Sequence, residues 1–282
     1  MFDIAQALQK LESSRAGMPL VMGILNVTPD SFSDGGQFVV MDVIKQQVEA
    51  MIKAGVDIID IGGESTRPGA EKVSLDIELQ RVMPVIEWIK QNHEVALSID
   101  TYKAEVMKQA IQAGVDIVND VNALQAEGAL EVVANSDVSV CLMHKQGTPD
   151  TMQNSPHYDD VVVEVSDFLM QRAQVCEQAG IVKQRIILDP GFGFGKNLQH
   201  NTQLFNDLDQ MLLLGYPLLV GVSRKRMIGQ ILASNEADLP VEQRMVGSVS
   251  AAVLAGLKGA QIVRVHDVEQ TLQALRTVSA LI

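Results

Sequence analysis

The sequence predicts an α/β fold in which eight β/α units close into one TIM barrel, (β/α)₈, a single domain spanning residues 1–282. Eight short apolar segments alternate along the chain with segments of helical spacing, as is typical of a parallel sheet with helical crossovers. Glycine follows several helical segments where a helix would end, at Gly55, Gly114 and Gly180. KAGVDIID (53–60) also resembles QAGVDIVN (112–119), as expected of a repeated unit. Eight such units fit a closed barrel better than an open sheet.

Composition narrows the class of protein. The chain has 282 residues, of which 47% are hydrophobic, enough to fill one large core. No apolar run of about 18 residues is present, so we expect no membrane span. The net charge of −13 opposes binding to nucleic acid or anionic membranes. The N-terminus lacks a basic region followed by an apolar one, and Cys141 and Cys176 have no metal or redox spacing. We therefore expect a cytoplasmic protein with reduced thiols.

The predicted elements alternate in regular order along the chain. Strands are expected at 21–26, 56–61, 94–100, 115–120, 138–143, 185–190, 217–223 and 261–266. Helices are expected at 42–54, 75–90, 104–113, near 126–134, and at 159–179, 198–214, 242–257 and 268–281.

Every predicted strand finishes in polar or charged residues. They are Asn26, Asp60, Asp100, Asn119 (followed by Asp120), His144, Asp189, Ser223 with Lys225, and Arg264 with His266. In a barrel these ends converge on the C-terminal face, where such folds build their active sites. One or two polar residues could simply end a strand, but eight of eight predict a site.

The first group of candidates is Asp100, Asn119 and Asp189. Carboxylates and amides form hydrogen bonds in a plane, and a buried carboxylate can pair with two parallel N–H donors. These side chains therefore suit a flat nitrogen heterocycle with an amino-pyrimidine edge. The alternative for any one of them is a cap on the following helix.

The second group is basic and suits a phosphorylated ligand: Arg67, Lys225, Arg264 and His266. Asn26 could give a neutral oxygen to Mg²⁺, although a turn cap is the alternative for a lone asparagine. GFGFGK (191–196) is not a Walker loop, because its second glycine comes too early and Asn197 follows the lysine. The histidines lack zinc-ligand spacing, and no G-x-S-x-G elbow is present.

Five longer motifs carry a family resemblance. They are GILNVTPDSFSDGG (23–36), DIGGESTRPGA (60–70), LDPGFGFGKN (188–197), GVSRKRMIG (221–229) and RVHDV (264–268). Together, and in this order, they closely resemble the dihydropteroate synthases of folate biosynthesis, from about Pro19 to the final helix. The resemblance implies a (β/α)₈ barrel, a homodimer and a transferase that requires Mg²⁺. It also implies the reaction, in which (7,8-dihydropterin-6-yl)methyl diphosphate joins 4-aminobenzoate to give 7,8-dihydropteroate and diphosphate.

The resemblance also implies roles for residues of this chain. Asp100, Asn119, Asp189 and Lys225 match the pterin pocket. Asn26, Thr66, Arg264 and His266 match the diphosphate subsite, with Asn26 also on the metal. The wall that binds aminobenzoate and competing sulfonamides is matched by Thr66, Arg67, Pro68, Phe194 and Ser223. Asp34, Arg67 and Lys225 are the implied catalytic residues, with Asp34 and Arg67 in two loops that close over the substrates. Arg226 departs from the serine that many relatives carry there.

Three other interpretations fit part of the pattern. A methyltetrahydrofolate-dependent methyltransferase domain would share the Asp/Asn pterin pocket, but would not need SFSDGG, STRPG or the Arg264/His266 pair. A non-catalytic pterin-binding paralogue would be suggested by loss of Lys225 or of a loop residue, and none is lost. A generic phosphosugar barrel enzyme fits the basic group, while the pterin-pocket residues count against it.

Overall fold

Eight parallel strands form the centre of the computed structural model, which describes residues 4, 6–7, 18–28, 37–65, 72–147, 156–234 and 237–282. The strands are β1 Leu20–Asn26, β2 Ile58–Gly62, β3 Ala96–Asp100, β4 Ile117–Asp120, β5 Ser139–Met143, β6 Ile186–Asp189, β7 Leu219–Val220 and β8 Ile262–Val265. They pair in the order β6-β5-β4-β3-β2-β1-β8-β7. A parallel bridge between Leu188 and Leu218 joins the two ends of this sheet, and Leu188 N donates to Pro217 O at 2.9 Å. The predicted (β/α)₈ barrel is therefore confirmed.

The helices surround this sheet. They are α1 Gln37–Ala54, α2 Leu75–Asn92, α3 Ala104–Gln112, α4 Ala129–Ala134, α5 Val161–Gln178, α6 Leu198–Asn206, α7 Leu208–Leu212, α8 Arg226–Ile231, α9 Met245–Leu257 and α10 Val268–Leu281. Gly55, Gly114 and Gly180 follow α1, α3 and α5 with φ of 96°, 94° and 96°, so the predicted helix stops are confirmed. Among the described residues, none of the helices has the length and apolar character needed to cross a membrane.

The structure corrects four predicted elements. The helix expected at 198–214 is broken at Asp207, whose φ of −99° and ψ of 25° end α6 and begin α7. The prediction missed the break because Leu204, Leu208 and Met211 remain buried on both sides of it. The strand expected at 217–223 is reduced to Leu219–Val220, since Pro217 has no N–H to donate and Gly221 follows.

The other corrections concern two helix starts and one helix that was not predicted. The helix expected at 42–54 begins at Gln37, and the one expected at 242–257 begins at Met245 after a 3₁₀ turn over Val241–Gln243. α8 was not predicted, because six residues are too few to show a helical period.

Alternation along each strand divides the barrel into an inner and an outer face. The outward side chains, such as Ile59, Leu97 and Val263, pack with the helices in the larger core. The inward side chains form a second core inside the barrel, against which Ile4 packs. The strand residues of this inner core are Leu20, Met22, Ile58, Ala96, Ile117, Cys141, Ile187, Leu219 and Ile262.

The same alternation places polar side chains above that inner core. Two residues beyond the apolar layer, five strands carry a polar side chain on the inner face: Asp60, Ser98, Asn119, Asp189 and Arg264. Asp100 lies two residues after Ser98 on β3. Asp120 has the opposite parity. Its carboxylate accepts from the N–H groups of Asn122 and Leu124, both at 2.7 Å, and shapes the turn after β4. The strands thus deliver one cluster of polar groups to the carboxyl end of the barrel.

Candidate active site

Arg264 lies at the centre of this polar cluster. Its Nε donates to Asp60 Oδ2 at 2.6 Å, and its Nη2 donates to Asp100 Oδ2 at 2.7 Å. Asn119 Nδ2 donates to the same Asp60 oxygen at 3.1 Å. One guanidinium therefore connects strands β2, β3 and β8 across the mouth of the barrel, with β4 joined through Asn119.

Each of the two carboxylates that bind Arg264 has one oxygen that accepts no hydrogen bond from the described part of the chain. Asp60 Oδ1 and Asp100 Oδ1 are buried and have no hydrogen-bond partner among the described residues. An unpaired carboxylate oxygen in the interior is costly, and bound ligands commonly supply the missing donor. The cluster is therefore prepared to accept hydrogen bonds from a ligand with adjacent N–H groups.

Burial and neighbouring charges set the ionisation of the cluster. Burial opposes the charge on Arg264, but Asp60 and Asp100 outweigh it and raise the pKa of the guanidinium. Burial raises the pKa of Asp100 to about 7; Arg264 counteracts this effect and Asp60 adds to it. Asp100 therefore changes charge near neutral pH.

Lys225 and Asp189 form the other side of the site. Burial lowers the pKa of Lys225 to about 8, while Asp189 favours the charged ammonium. Its Nζ donates to Phe192 O at 2.6 Å and lies 4.6 Å from the centre of the Phe194 ring. Burial raises the pKa of Asp189, and its Oδ1 accepts from Gly191 N at 2.8 Å. A buried ammonium thus stands beside a carboxylate and an aromatic ring.

Two strand-end glycines keep the space near these groups open. A Cβ on Gly62 would lie 3.7 Å from Asn26 Oδ1 and 3.8 Å from Asp100 Oδ2. A Cβ on Gly221 would lie 4.0 Å from Lys225 Nζ and 3.7 Å from Arg264 Cβ. Asn26 therefore reaches the same region as the carboxylate of Asp100.

Ser223 and His266 are paired at the ends of neighbouring segments. Ser223 Oγ accepts from His266 N at 3.1 Å and lies 3.1 Å from His266 Nδ1. For metals, the described part of the chain holds no group of three or more His, Cys, Asp or Glu side chains suited to an ion. The amide oxygen of Asn26 fits a Mg²⁺ ion that takes its other ligands from phosphate and water.

Comparison with known proteins agrees with this geometry. The family model of pterin binding enzymes matches residues 22–266. The dihydropteroate synthase of Escherichia coli strain K12 is 52% identical over 263 residues, which are 93% of this chain and 91% of the relative. A Yersinia pestis dihydropteroate synthase in complex with a sulfonamide drug superimposes with a TM-score of 0.87 at 51% identity, covering 94% of each chain.

The chain belongs to the dihydropteroate synthase family.

It is a transferase that condenses (7,8-dihydropterin-6-yl)methyl diphosphate with 4-aminobenzoate to give 7,8-dihydropteroate and diphosphate. A further family structure, from Xanthomonas albilineans with 4-aminobenzoic acid, is 48% identical, with a TM-score of 0.87 and coverage of 94% of this chain and 93% of that one. The methyltransferase alternative is therefore set aside.

The structure brings most of the predicted site residues of this dihydropteroate synthase family member together. Asp100, Asn119, Asp189, Lys225 and Arg264 form the cluster described above, with Asn26, Phe194, Ser223 and His266 around it. Asp34, Thr66, Arg67 and Pro68 lie outside the described residues. Arg226, the departure from the family pattern, is mostly exposed and donates to Asp238 at 2.7 Å.

Sequence reasoning missed two members of the site. Asp60 was recognised as a strand end but was given no role, although it links Arg264 to Asn119. Its parity with Ile58 on β2 was the available signal. The sequence predicts no role for Lys196, which ends the GFGFGK segment, yet its Nζ donates to Phe194 O inside this turn. A lysine closing a run of alternating glycines was the signal there.

Proposed function

We propose that the pterin ring of the diphosphate substrate binds between Asp100, Asn119, Asp189 and Lys225, with Asp60 completing the pocket. The observation that carries this assignment is the pair of buried, unpartnered oxygens on Asp60 and Asp100. The amino-pyrimidine edge of a pterin presents parallel N–H donors, which suit such carboxylates.

The diphosphate is proposed to bind at Asn26, Thr66, Arg264 and His266 with Mg²⁺. Support comes from the position of Arg264, a cation fixed at the mouth of the barrel, and from the neutral oxygen that Asn26 contributes nearby. When bound, Mg²⁺ would neutralise charge that develops on the departing diphosphate.

The chemistry follows from these positions. The bond between the methylene carbon and the diphosphate oxygen breaks, and its electron pair leaves with the diphosphate. The resulting cation is delocalised into the electron-rich dihydropterin, and Asp100 and Asp189 stabilise it electrostatically. The aminobenzoate nitrogen, neutral at pH 7, attacks the methylene carbon and then loses a proton to water. No strong general base is needed for this attack. Asp34 and Arg67 are proposed, with Lys225, as catalytic residues.

The aminobenzoate subsite is proposed to use Phe194, Ser223, Thr66, Arg67 and Pro68. The position of Phe194 against Lys225 supports an aromatic binding wall next to the pterin pocket. Sulfonamides are proposed to compete here, in keeping with the drug complex of the Yersinia pestis relative and the 4-aminobenzoic acid complex of the Xanthomonas albilineans relative.

The chain is further proposed to act as a homodimer in the cytoplasm. Exposed apolar side chains on α9 support an association surface: Met245, Val246, Leu254 and Leu257. Cys141 and Cys176 are buried free thiols, which is in keeping with a reducing compartment.

Diphosphate release by the purified protein with the dihydropterin diphosphate and Mg²⁺ tests the proposal. Release that requires 4-aminobenzoate and yields dihydropteroate is the expected result. Lys225→Ala should lower turnover by about 10³-fold without unfolding the chain, since it removes the buried cation beside Asp189. Lys258→Ala, at a half-buried lysine outside the site, is the matched control. Pterin binding without product, or near-normal turnover in Lys225→Ala, would contradict the assignment.

A further inference from the structure

Lys196 is a buried amine whose hydrogen bonds all stay within the barrel rim. Its side chain is only 2% exposed, and its Nζ lies 3.0 Å from Gly191 O, 3.2 Å from Phe194 O and 2.8 Å from His144 Nδ1. Burial lowers the pKa of Lys196 to about 7, while Asp189 favours its charged form. When protonated, the group has three hydrogens, and these three acceptors use all of them. Burial lowers the pKa of His144 to about 3, which keeps the imidazole neutral and able to accept.

The turn that Lys196 closes, residues 191–196, packs backbone against backbone. Gly191, Gly193 and Gly195 have φ of 69°, 79° and 66°. A Cβ on Gly191 would lie 1.8 Å from His144 O, and one on Gly195 would lie 2.3 Å from Gln146 O. The alternating glycines therefore allow the turn to lie directly on the segment that follows β5.

Further hydrogen bonds fix the same turn from outside. Tyr158 Oη donates to Gly195 O at 2.9 Å. Asn201 accepts from Gly193 N at 2.8 Å and donates to Lys196 O at 3.1 Å. Across the centre of the turn, Phe194 N donates to Gly191 O at 3.1 Å, and the Lys196 side chain donates to the carbonyl oxygens of both residues.

The turn presents two groups to Lys225. Lys225 Nζ donates to Phe192 O and lies against the Phe194 ring, while the Phe192 side chain is anchored in the outer core, 5.9 Å from the Phe205 ring. Any loosening of the turn would therefore displace Phe194 first, because Phe194 has no comparable anchor in the core and is only half-buried.

We infer that Lys196 is a positioning residue for the aminobenzoate subsite. Its hydrogen bonds hold turn 191–196 closed, and this keeps the Phe194 ring in a fixed position beside Lys225. This inference rests on the proposed function, which places aminobenzoate against Phe194. It predicts a larger effect on aminobenzoate than on the pterin. Arg264 holds the pterin-pocket groups Asp60, Asp100 and Asn119 independently of the turn. The other two pocket residues, Asp189 and Lys225, contact the turn only through the backbone of Gly191 and Phe192.

Lys196→Met, which keeps the length of the side chain and removes its donors, tests the inference. The KM for 4-aminobenzoate should rise about tenfold, while the KM for the dihydropterin diphosphate stays within about twofold. Lys258→Met, at a half-buried lysine outside the site that donates to Asn206 O, should leave both unchanged. Tyr158→Phe, which removes the outer tie to Gly195, should raise the aminobenzoate KM about threefold.

The outcomes separate the inference from the function on which it rests. Wild-type protein that makes no dihydropteroate would overturn the proposed function itself. Active wild-type protein with equal rises in both KM values, or with lower thermal stability and no change in either KM, would show that Lys196 has a purely structural role. If Lys196→Met does not fold, an unchanged aminobenzoate KM in Tyr158→Phe overturns the inference.

Discussion

Asp100 and Lys225 give the proposed pterin pocket its sensitivity to pH, while Lys196, with a pKa that burial lowers to about 7, lies behind the aminobenzoate subsite. Burial raises the pKa of the carboxyl to about 7 and lowers the pKa of the ammonium to about 8. The proposed chemistry needs Asp100 ionised, because a carboxylate stabilises the pterin cation, and Lys225 protonated. Asp100 gains its charge as the pH rises through 7, and Lys225 loses its charge as the pH rises through 8. The favourable charge state is thus most populated between these values.

We therefore expect a bell-shaped pH profile of kcat/KM for the dihydropterin diphosphate, with its maximum between pH 7 and pH 8. Asp100→Asn should lower kcat/KM by about 100-fold and remove the limb near pH 7, since the amide does not titrate. Steady-state rates from pH 5.5 to 9.5 measure both effects. A limb near pH 7 that persists unchanged in Asp100→Asn would assign it to another group.

At this scale the sequence indicated the pocket well and its internal connections poorly. Asp100, Asn119, Asp189 and Arg264 were predicted because each ends a strand, and strand ends are visible in a local pattern. The bonds from Arg264 to Asp60 and Asp100 join residues 204 and 164 positions apart. Such sequence separations cannot be read from a local pattern. The contacts of Asp60 with both Arg264 and Asn119 therefore become visible only in the folded barrel.

Among the structural elements, turn 191–196 depends most on glycine. Gly191 has φ of 69°, and a side chain there would meet the His144 carbonyl oxygen at 1.8 Å. Gly180 offers a matched comparison, since its φ is 96° but a Cβ would meet no atom within 4 Å. The difference between the two positions isolates the close backbone approach from the strain of positive φ.

Gly180→Ala should cost about 1 kcal/mol of unfolding free energy, the strain of a left-handed alanine alone. Gly191→Ala should cost at least about 3 kcal/mol and abolish most activity, because the turn must leave the His144 carbonyl. Urea unfolding of both variants measures the difference. Equal losses of unfolding free energy in the two variants would show that turn 191–196 shifts easily and does not hold Phe194 in place.

The ends of helices and strands were predictable where a single residue type, such as glycine, fixes the backbone angles. The glycine stops after α1, α3 and α5 are where the sequence indicated, because a left-handed residue must end the helix there. The break at Asp207 and the two-residue strand β7 were not predicted. In both cases the hydrophobic period continues through the irregularity, so burial gives no warning of a change in backbone angles.

For the whole molecule, the distribution of exposed apolar groups raises the question of assembly. On α9, Val246 is 69% exposed, and Leu254 and Leu257 are about half exposed, whereas the same helix buries Ala252 and Ala255. A helix that is apolar on both its inner and outer sides is typical of one covered by a partner. The net charge of −13 on each chain opposes association at long range, so the contact must be apolar and should strengthen with salt.

Val246→Glu should convert the proposed dimer to a monomer, because it places one carboxylate from each chain in an apolar contact. Ile77→Glu, at an exposed apolar position on α2, is the control and should leave assembly unchanged. Light scattering coupled to size exclusion should then give the monomer mass of 30.6 kDa for Val246→Glu only.

A measured mass of 30.6 kDa for the wild-type protein at all salt concentrations would refute the dimer. A dimeric Val246→Glu would show that the interface does not lie on α9. Because Ser248 of α9 accepts a hydrogen bond from Arg224 N at 2.9 Å, between Ser223 and Lys225, the position of this interface also decides whether assembly can support the active site.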